Sequence, residues 1–380
     1  MLMRFFRKAR FSILLRCAPA FVAGFLMLVA SPLGAQTFTP TLTVGAGIQT
    51  SYDHTEPDTG TSLDQFSLNH LRLYFSGDIT PYLSAMVNTE YTSSSNTMGV
   101  LDAVGEFHTS PMFNVWFGRF IAPSDRANLY GPFYSNEWAV YSDGIQDGYP
   151  SVLVGGVSPT GRDNGVAYWG DFKAGTVKLK LSAGAFDGLT TDGSHSVIWA
   201  ARAQFDFWDP ENGYYLNGTY YGDKNLLAIG GATEVQDYKT ATTVDFLLEK
   251  KVLNGGAFTV ESEYSRYNRL GGYDGSYAKS EGGYGLVSLL LPKEIGVGKP
   301  QIIGKFAIAE FTDGLASPAT NPSYRQKTTE VDFGYIMKQF DARVYAFGKV
   351  TDLNHPANSD FWDAGVGLQF QLSKQIMGAK

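Results

Sequence analysis

Cysteine is almost missing from this chain of 380 residues, and the patterns of common catalytic sites are missing too. With Cys17 as the one cysteine, a C-x-x-C site and a disulfide-stapled scaffold are excluded. None of the five histidines pairs at metal-ligand spacing, and no G-x-S-x-G, Walker or G-x-G-x-x-G motif is present. We therefore expect no enzyme, no metal and no cofactor. One alternative stays open: a catalytic serine and histidine that only the fold brings together, as in a barrel lipase.

Charge and long apolar runs are scarce as well. Only 18% of the residues are charged, and no stretch of fifteen apolar residues follows Ala35, which excludes a transmembrane helix after that point. Aromatic residues nevertheless reach 14% and glycine numbers 43. Disordered chains are poor in aromatic and β-branched residues, so this composition indicates a folded protein.

The first 35 residues differ in composition from the rest. They carry five of the 30 basic residues and none of the 37 acidic ones, and an apolar stretch from Ala18 to Val29 ends in small residues at Ala35. This pattern predicts a secretory signal peptide over 1–35, cleaved after Ala35; the alternative, a short membrane anchor, falls below the roughly 17 to 25 residues of a spanning helix. The remaining 36–380 has 25 basic against 37 acidic residues. Such an acidic chain is not expected to bind nucleic acid.

Segments of about ten to thirteen residues with alternating apolar and polar side chains recur along 36–380. In the segment from Ser67 to Ile79, Leu71 and Leu73 alternate with Arg72 and Tyr74. Strands of soluble β-sandwiches show the same alternation of apolar and polar side chains. The lengths of the connections between segments are therefore needed to distinguish a soluble sandwich from a membrane barrel.

Short and long connections take turns along the chain, as in a membrane barrel with tight periplasmic turns and longer external loops. The segment 209–225 is irregular and could hold one more strand, which leaves 18 strands open as an alternative. Taken as a periplasmic connection, it gives 16 strands with both chain ends on the periplasmic side. Aromatic residues near the ends of the segments agree with interfacial girdles. The sequence therefore predicts an all-β fold, a transmembrane antiparallel β-barrel of 16 strands.

Two stretches carry a resemblance to known barrels. The run Asp363 to Phe370 resembles the terminal strand of bacterial outer-membrane barrels. In the centre, Val115 to Pro123 and Gly161 to Val166, followed by Phe207 to Glu211 and Gly213 to Tyr215, resemble the phosphate-selective porin O/P-type family. The resemblance implies a homotrimeric porin in the outer membrane of a Gram-negative-type bacterium, with outer-membrane lipid and small hydrophilic solutes as partners. It also implies a third extracellular loop that folds inward.

The connection 122–161 is the candidate for that loop. About 40 residues without a periodic segment are rare unless they are functional, and a disordered external flap is the alternative. Its predicted pore-constriction residues are Asp125, Arg126, Glu137, Asp143 and Asp147. Their net charge of -3 is unlike a phosphate filter, because rings of positive side chains select anions.

Strand alternation also sorts the charges of the barrel wall. If the apolar face meets lipid, the polar face lines the pore. The predicted pore-wall residues that are basic are Arg72, Arg119, Lys178, Lys180, Arg202, Arg343 and Lys349. The acidic ones are Glu90, Asp102, Glu106, Asp245, Glu249, Glu261, Glu263, Glu330 and Asp332. The two signs come from different strands, so a transverse field is expected across the pore.

These patterns favour an outer-membrane porin that admits small hydrophilic solutes and ions by passive diffusion. Two alternatives stay open. One is an anion or phosphate channel like the resembled family, and the other is a barrel that does not conduct and serves as an adhesin or structural anchor.

Overall fold

A computed structural model describes residues 38–92, 96–145, 162–188, 196–252, 255–316, 320–355 and 358–377. The predicted signal peptide and Asp147 lie outside these residues. Pro40–Lys380 forms one compact unit, and its elements are almost all strands. In chain order they are β1 (Leu42–Pro57), β2 (Leu63–Thr80), β3 (Leu83–Thr92), β4 (Thr97–Ser110), β5 (Phe113–Phe120), α1 (Arg126–Tyr134), β6 (Asp163–Ala174), β7 (Val177–Phe186), β8 (Ile198–Asp206), β9 (Leu226–Gln236), β10 (Lys239–Val252), β11 (Gly256–Asn268), β12 (Tyr277–Leu290), β13 (Lys299–Gly314), β14 (Tyr324–Lys338), β15 (Ala342–Leu353) and β16 (Phe361–Met377).

The strands form one closed antiparallel barrel in which each strand pairs with its neighbours in sequence and β1 pairs with β16. This confirms the prediction of a 16-strand antiparallel barrel. The predicted terminal strand lies in β16, which continues past Phe370 because its last residues pair with the start of β1, for example Leu372 with Ala46. Among the described residues no helix is long and apolar enough to cross a membrane.

Successive residues of each strand face two different environments. On β14, Val331 and Phe333 are 43% and 59% exposed, whereas their neighbours Glu330 and Asp332 are 2% and 0% exposed. In a closed barrel the exposed alternate positions form the outer face and the buried ones form the inner face. The barrel is therefore apolar outside and largely polar inside, which is the reverse of a soluble protein and fits a lipid surround.

The segment 207–225, between β8 and β9, contains no strand, so its interpretation as a connection is confirmed and the strand count stays even. The strands run further than the alternation indicated. Because residues 51–65 and 312–327 form long polar stretches, the sequence predicts connections there, but β1 extends to Pro57 and β13 to Gly314. Strand pairing continues there with polar residues on both faces, so periodicity alone could not find it.

Candidate functional site

The described part of the predicted loop is built around the short helix α1. Asp125 caps it, since its side chain accepts a hydrogen bond from the Asn128 backbone N–H at 2.8 Å. Gly131 has a φ of 62°, which a residue with a side chain rarely adopts, and Pro132 follows it. The helix is therefore kinked at Gly131, and its last residues follow a new direction.

Arg126 fixes this helix at one end. Its guanidinium donates to both carboxylate oxygens of Glu211, at 3.0 and 2.5 Å, and to the Asn217 carbonyl at 3.0 Å. Asp245 on β10 lies 3.6 Å from the Arg126 Nε. Burial raises the pKa of Glu211, but the Arg126 charge and hydrogen bonds lower it by more, so the net pKa lies below its ordinary value. The pair is thus a buried, ionised bidentate contact.

The connection 207–225 packs directly against α1 and its flanks. The Leu216 N–H donates to the Leu129 carbonyl at 3.3 Å, and the Gly218 N–H donates to the Tyr134 carbonyl at 2.9 Å. The sequence analysis did not predict that 207–225 packs against the predicted loop. The available signal was composition, because a run of glycine and tyrosine over 213–221 is too aromatic for a solvated turn.

An apolar cluster seals the contact between the two segments. The ring of Tyr214 lies 4.4 Å from that of Trp116 and packs edge-on against Phe120. The Tyr214 hydroxyl donates to the Ile121 carbonyl at 2.8 Å. Leu129 and Leu216 belong to the same buried cluster.

The acidic loop residues bind strands on another side of the barrel. Lys305 on β13 contacts Glu137 at 2.9 Å and Asp143 at 2.8 Å. Asp332 on β14 accepts the Trp138 N–H at 2.9 Å. Lys305 was not among the predicted residues, because its neighbours on the inner face are Ile303 and Ala307 and the strand shows no polar alternation there. In the described part of the chain, no group of His, Cys, Asp or Glu side chains is arranged to hold a metal ion.

The end of α1 reaches the wall formed by β15, β16, β1 and β2. Arg343 donates to the Ser135 carbonyl at 2.6 Å and to the Phe133 carbonyl at 3.2 Å. The Phe133 ring lies on Gly47, where an added Cβ would stand 2.7 Å from the ring. Arg72 lies 5.1 Å from the centre of the same ring, a cation–π distance. Gly47 is therefore needed for this close approach.

Two cavities border the inner face beside this segment, and they lie on either side of residues 130–141. The first has a volume of about 370 Å³; its charged and aromatic lining residues are Arg72, Tyr74, Asp102, Tyr130, Tyr134, Arg162, Tyr215 and Asp341. The second has a volume of about 380 Å³; its charged and aromatic lining residues are Asp53, His70, Trp138, Tyr141, Phe347, Lys349 and Asp363.

The structure places the predicted wall residues on the inner face with one exception, and most of them fall into two groups. Those bordering a cavity or lying in an ion pair beside one are Arg72, Glu90, Asp102 and Lys349. Those that are almost fully buried are Arg202, Asp245, Glu249, Glu261, Glu263, Glu330, Asp332 and Arg343. The predicted grouping by strand order therefore did not separate water-facing charges from covered ones.

Segments 121–145 and 207–225 supply much of the covering. Arg202 donates to the Ser124 carbonyl at 3.1 Å, and Glu261 accepts the Tyr130 hydroxyl at 2.9 Å. Glu249 accepts the Thr219 hydroxyl at 2.7 Å. Lys180 donates to the Gly213 carbonyl. Glu106 and Lys178 are on the inner face and are only partly buried.

Arg119 is the exception, and its assignment to the pore wall is wrong. On β5 it pairs with Ala103, whereas Trp116 pairs with Glu106 and Gly118 with Val104. Arg119 therefore shares the outer face with Phe117, which is 71% exposed. The rule that apolar residues face outward fails on this strand, because Trp116 and Phe120 face inward to pack against Tyr214.

No family model matches the sequence, and no curated protein matches it. Solved structures do match. An anion-selective porin from Comamonas acidovorans has a TM-score of 0.55 and 13% identity, covering 88% of this chain and 100% of its own. OprB from Pseudomonas putida has a TM-score of 0.55 and 10% identity, with coverages of 88% and 94%. OmpF from Salmonella typhi, in a complex with daunomycin, has a TM-score of 0.53 and 10% identity, with coverages of 87% and 97%. At these identities the likeness establishes that the chain has the fold of outer-membrane porin barrels.

Proposed function

We propose that this protein is an outer-membrane porin of a Gram-negative-type bacterium, through which small hydrophilic solutes and ions diffuse passively. The observation that carries the proposal is the polar inner face with two cavities beside the segment that contacts it. An apolar outer face and the porin-like fold support it. Export by a cleaved signal peptide over 1–35 belongs to the same proposal, since an outer-membrane protein must leave the cytoplasm.

We infer that residues 121–145 form an inward-folded constriction. The support is the spread of their contacts, which reach Asp245 on β10, Lys305 on β13, Arg343 on β15 and Gly47 on β1. Contacts with inner-face residues from most of the circumference are the contacts that a segment folded into the barrel would make. A disordered external flap does not fit these contacts.

General diffusion is favoured over phosphate selectivity. With histidine counted as neutral, the cavity linings include three cationic side chains, Arg72, Arg162 and Lys349, against four carboxylates. A phosphate site would concentrate basic groups at the constriction, yet Arg126 is buried against Glu211 and Lys305 against Glu137. Assembly as a homotrimer is part of the proposal on the resemblance to porins alone.

Liposome swelling tests the proposed function. Purified protein is reconstituted, and the swelling rate is measured in iso-osmotic neutral sugars of increasing size, with heat-denatured protein as the control. A porin gives rates that fall steadily with solute size. A rate equal to that of the control would instead support the adhesin or anchor, and selective uptake of phosphate over chloride would support the alternative of a phosphate channel.

A further inference from the structure

The two cavities meet one wall of the barrel at neighbouring residues of β2. His70 lines the second cavity and Arg72 lines the first. Both side chains bind the same carboxylate: the His70 Nδ1 lies 3.0 Å from Glu90 Oε1, and the Arg72 Nε donates to Glu90 Oε2. Glu90 therefore stands where the two cavities approach each other.

The other side of the barrel is closed from within by two segments. Residues 121–145 and 207–225 are joined by the Arg126–Glu211 pair and by backbone hydrogen bonds. Beneath them the charged side chains of Asp245 and Arg202 are 1% and 2% exposed. A charge that water does not reach has no direct contact with a passing ion, and a covered ion pair is largely neutralised by its partner.

Most of the charged groups that border the cavities are paired as well, and they are less covered, except for Asp102, which is 2% exposed. Arg72 and Glu90 are 11% and 10% exposed, and Lys349 and Asp363, 3.0 Å apart, are 14% and 15% exposed. Arg162 is 13% exposed and contacts Asp102 at 3.1 Å. These pairs present local dipoles with little net charge.

We propose that solutes cross the barrel on one side only, along the wall of β1–β4, β15 and β16, and that this passage suits uncharged and zwitterionic solutes. The pairs Arg72–Glu90 and Lys349–Asp363 are its specificity-determining residues. Paired charges of opposite sign orient a dipolar solute, while a singly charged ion of either sign gains little net attraction. The inference rests on the proposed porin function and assigns the path and the solute class within it.

Reversal potentials in a salt gradient test the path residue by residue. Glu90→Gln leaves Arg72 without its counter-charge. One charge roughly 10 Å from an ion in water changes the permeability of each ion by about twofold, in opposite directions for cation and anion, so the ratio of cation to anion permeability is expected to fall by about fourfold. Arg72→Gln is expected to raise the ratio by a similar factor. Asp363→Asn, which frees Lys349, is an independent variant in the second cavity and is expected to lower the ratio.

The matched control is Glu263→Gln, an isosteric change of a carboxylate that is 4% exposed and accepts the Ser265 hydroxyl at 2.9 Å. It is expected to leave the reversal potential unchanged. A shift with Glu263→Gln as large as that with Glu90→Gln would overturn the one-sided path, as would unchanged potentials in both Glu90→Gln and Asp363→Asn. A wild-type protein that folds but does not conduct would instead refute the porin function itself.

The solute class is tested by uptake into liposomes of three compounds of similar size: a zwitterionic amino acid, a monovalent organic cation and a monovalent organic anion. The zwitterion is expected to enter faster than both ions. Faster entry of the anion or the cation would contradict the assigned class while leaving the porin function intact.

Discussion

Replacing Arg126 by methionine should destabilise the protein strongly, because the residue joins segments 121–145 and 207–225. Its side chain is 0% exposed, and it makes two bonds to Glu211 and one to the Asn217 carbonyl. Removing one partner of a buried ion pair costs about 3–5 kcal/mol, since the other charge stays buried without its partner. Asp245 retains Arg202 at 2.5 and 2.8 Å, so Glu211 should account for most of the loss.

The assay is urea unfolding in detergent micelles, followed by tryptophan fluorescence, which reports on the cluster because Trp116 lies against Tyr214. The exposed outer-face pair Arg266–Glu281, at 3.5 Å, supplies a matched control. Arg266→Met should cost no more than about 1 kcal/mol. A double-mutant cycle with Glu211→Gln should give a coupling of about 1–3 kcal/mol. A cost for Arg126→Met equal to that of the control, or a coupling near zero, would refute the locking role of this pair.

Three further outcomes are expected. Lowering the pH should weaken the contact between the two segments. The pKa of Glu211 is held below its unfolded value of 4.5, so the contribution of Glu211 to stability is present above pH 4.5 and is lost as the pH falls through the lower folded pKa. An acid titration followed by tryptophan fluorescence measures this loss. Gly47→Ala should lower the free energy of unfolding by about 1–3 kcal/mol, because the new Cβ would stand 2.7 Å from Phe133, and Gly348→Ala, with open space around its Cβ, is the control in urea unfolding. Arg119→Gln should leave the reversal potential unchanged, since Arg119 is on the outer face, and a change like that of Arg72→Gln would contradict this placement.

The barrel could be predicted from the sequence because its strands have two different environments. Alternation of the kind seen at Val331 and Asp332 is a local signal, and the even strand count follows from closure. The ends of the strands were harder to predict from the sequence, because strand pairing continues where both faces are polar, as at the end of β1. The aromatic and glycine content of 213–221 was visible, but its partner across the barrel was not.

The candidate site was predicted as a set of charges, and the structure separates those charges by what covers them. Alternation of apolar and polar residues correctly assigned residues as different as Arg72 and Glu261 to the inner face of the barrel. Alternation could not tell which of these residues another segment would bury, because burial depends on contacts between residues far apart in the chain, such as Tyr130 with Glu261. The failure at Arg119 has the same origin, since an internal apolar cluster turned Trp116 inward.

Single-channel conductance of the purified protein in a planar bilayer, recorded together with its reversal potential under a salt gradient, tests the porin function directly. We expect stepwise openings with little or a mild cation preference, because the charges along the passage are nearly balanced. Strong anion preference with block by phosphate would contradict the assigned passage and favour the phosphate channel. A folded barrel that gives no openings would show that this protein is not a porin.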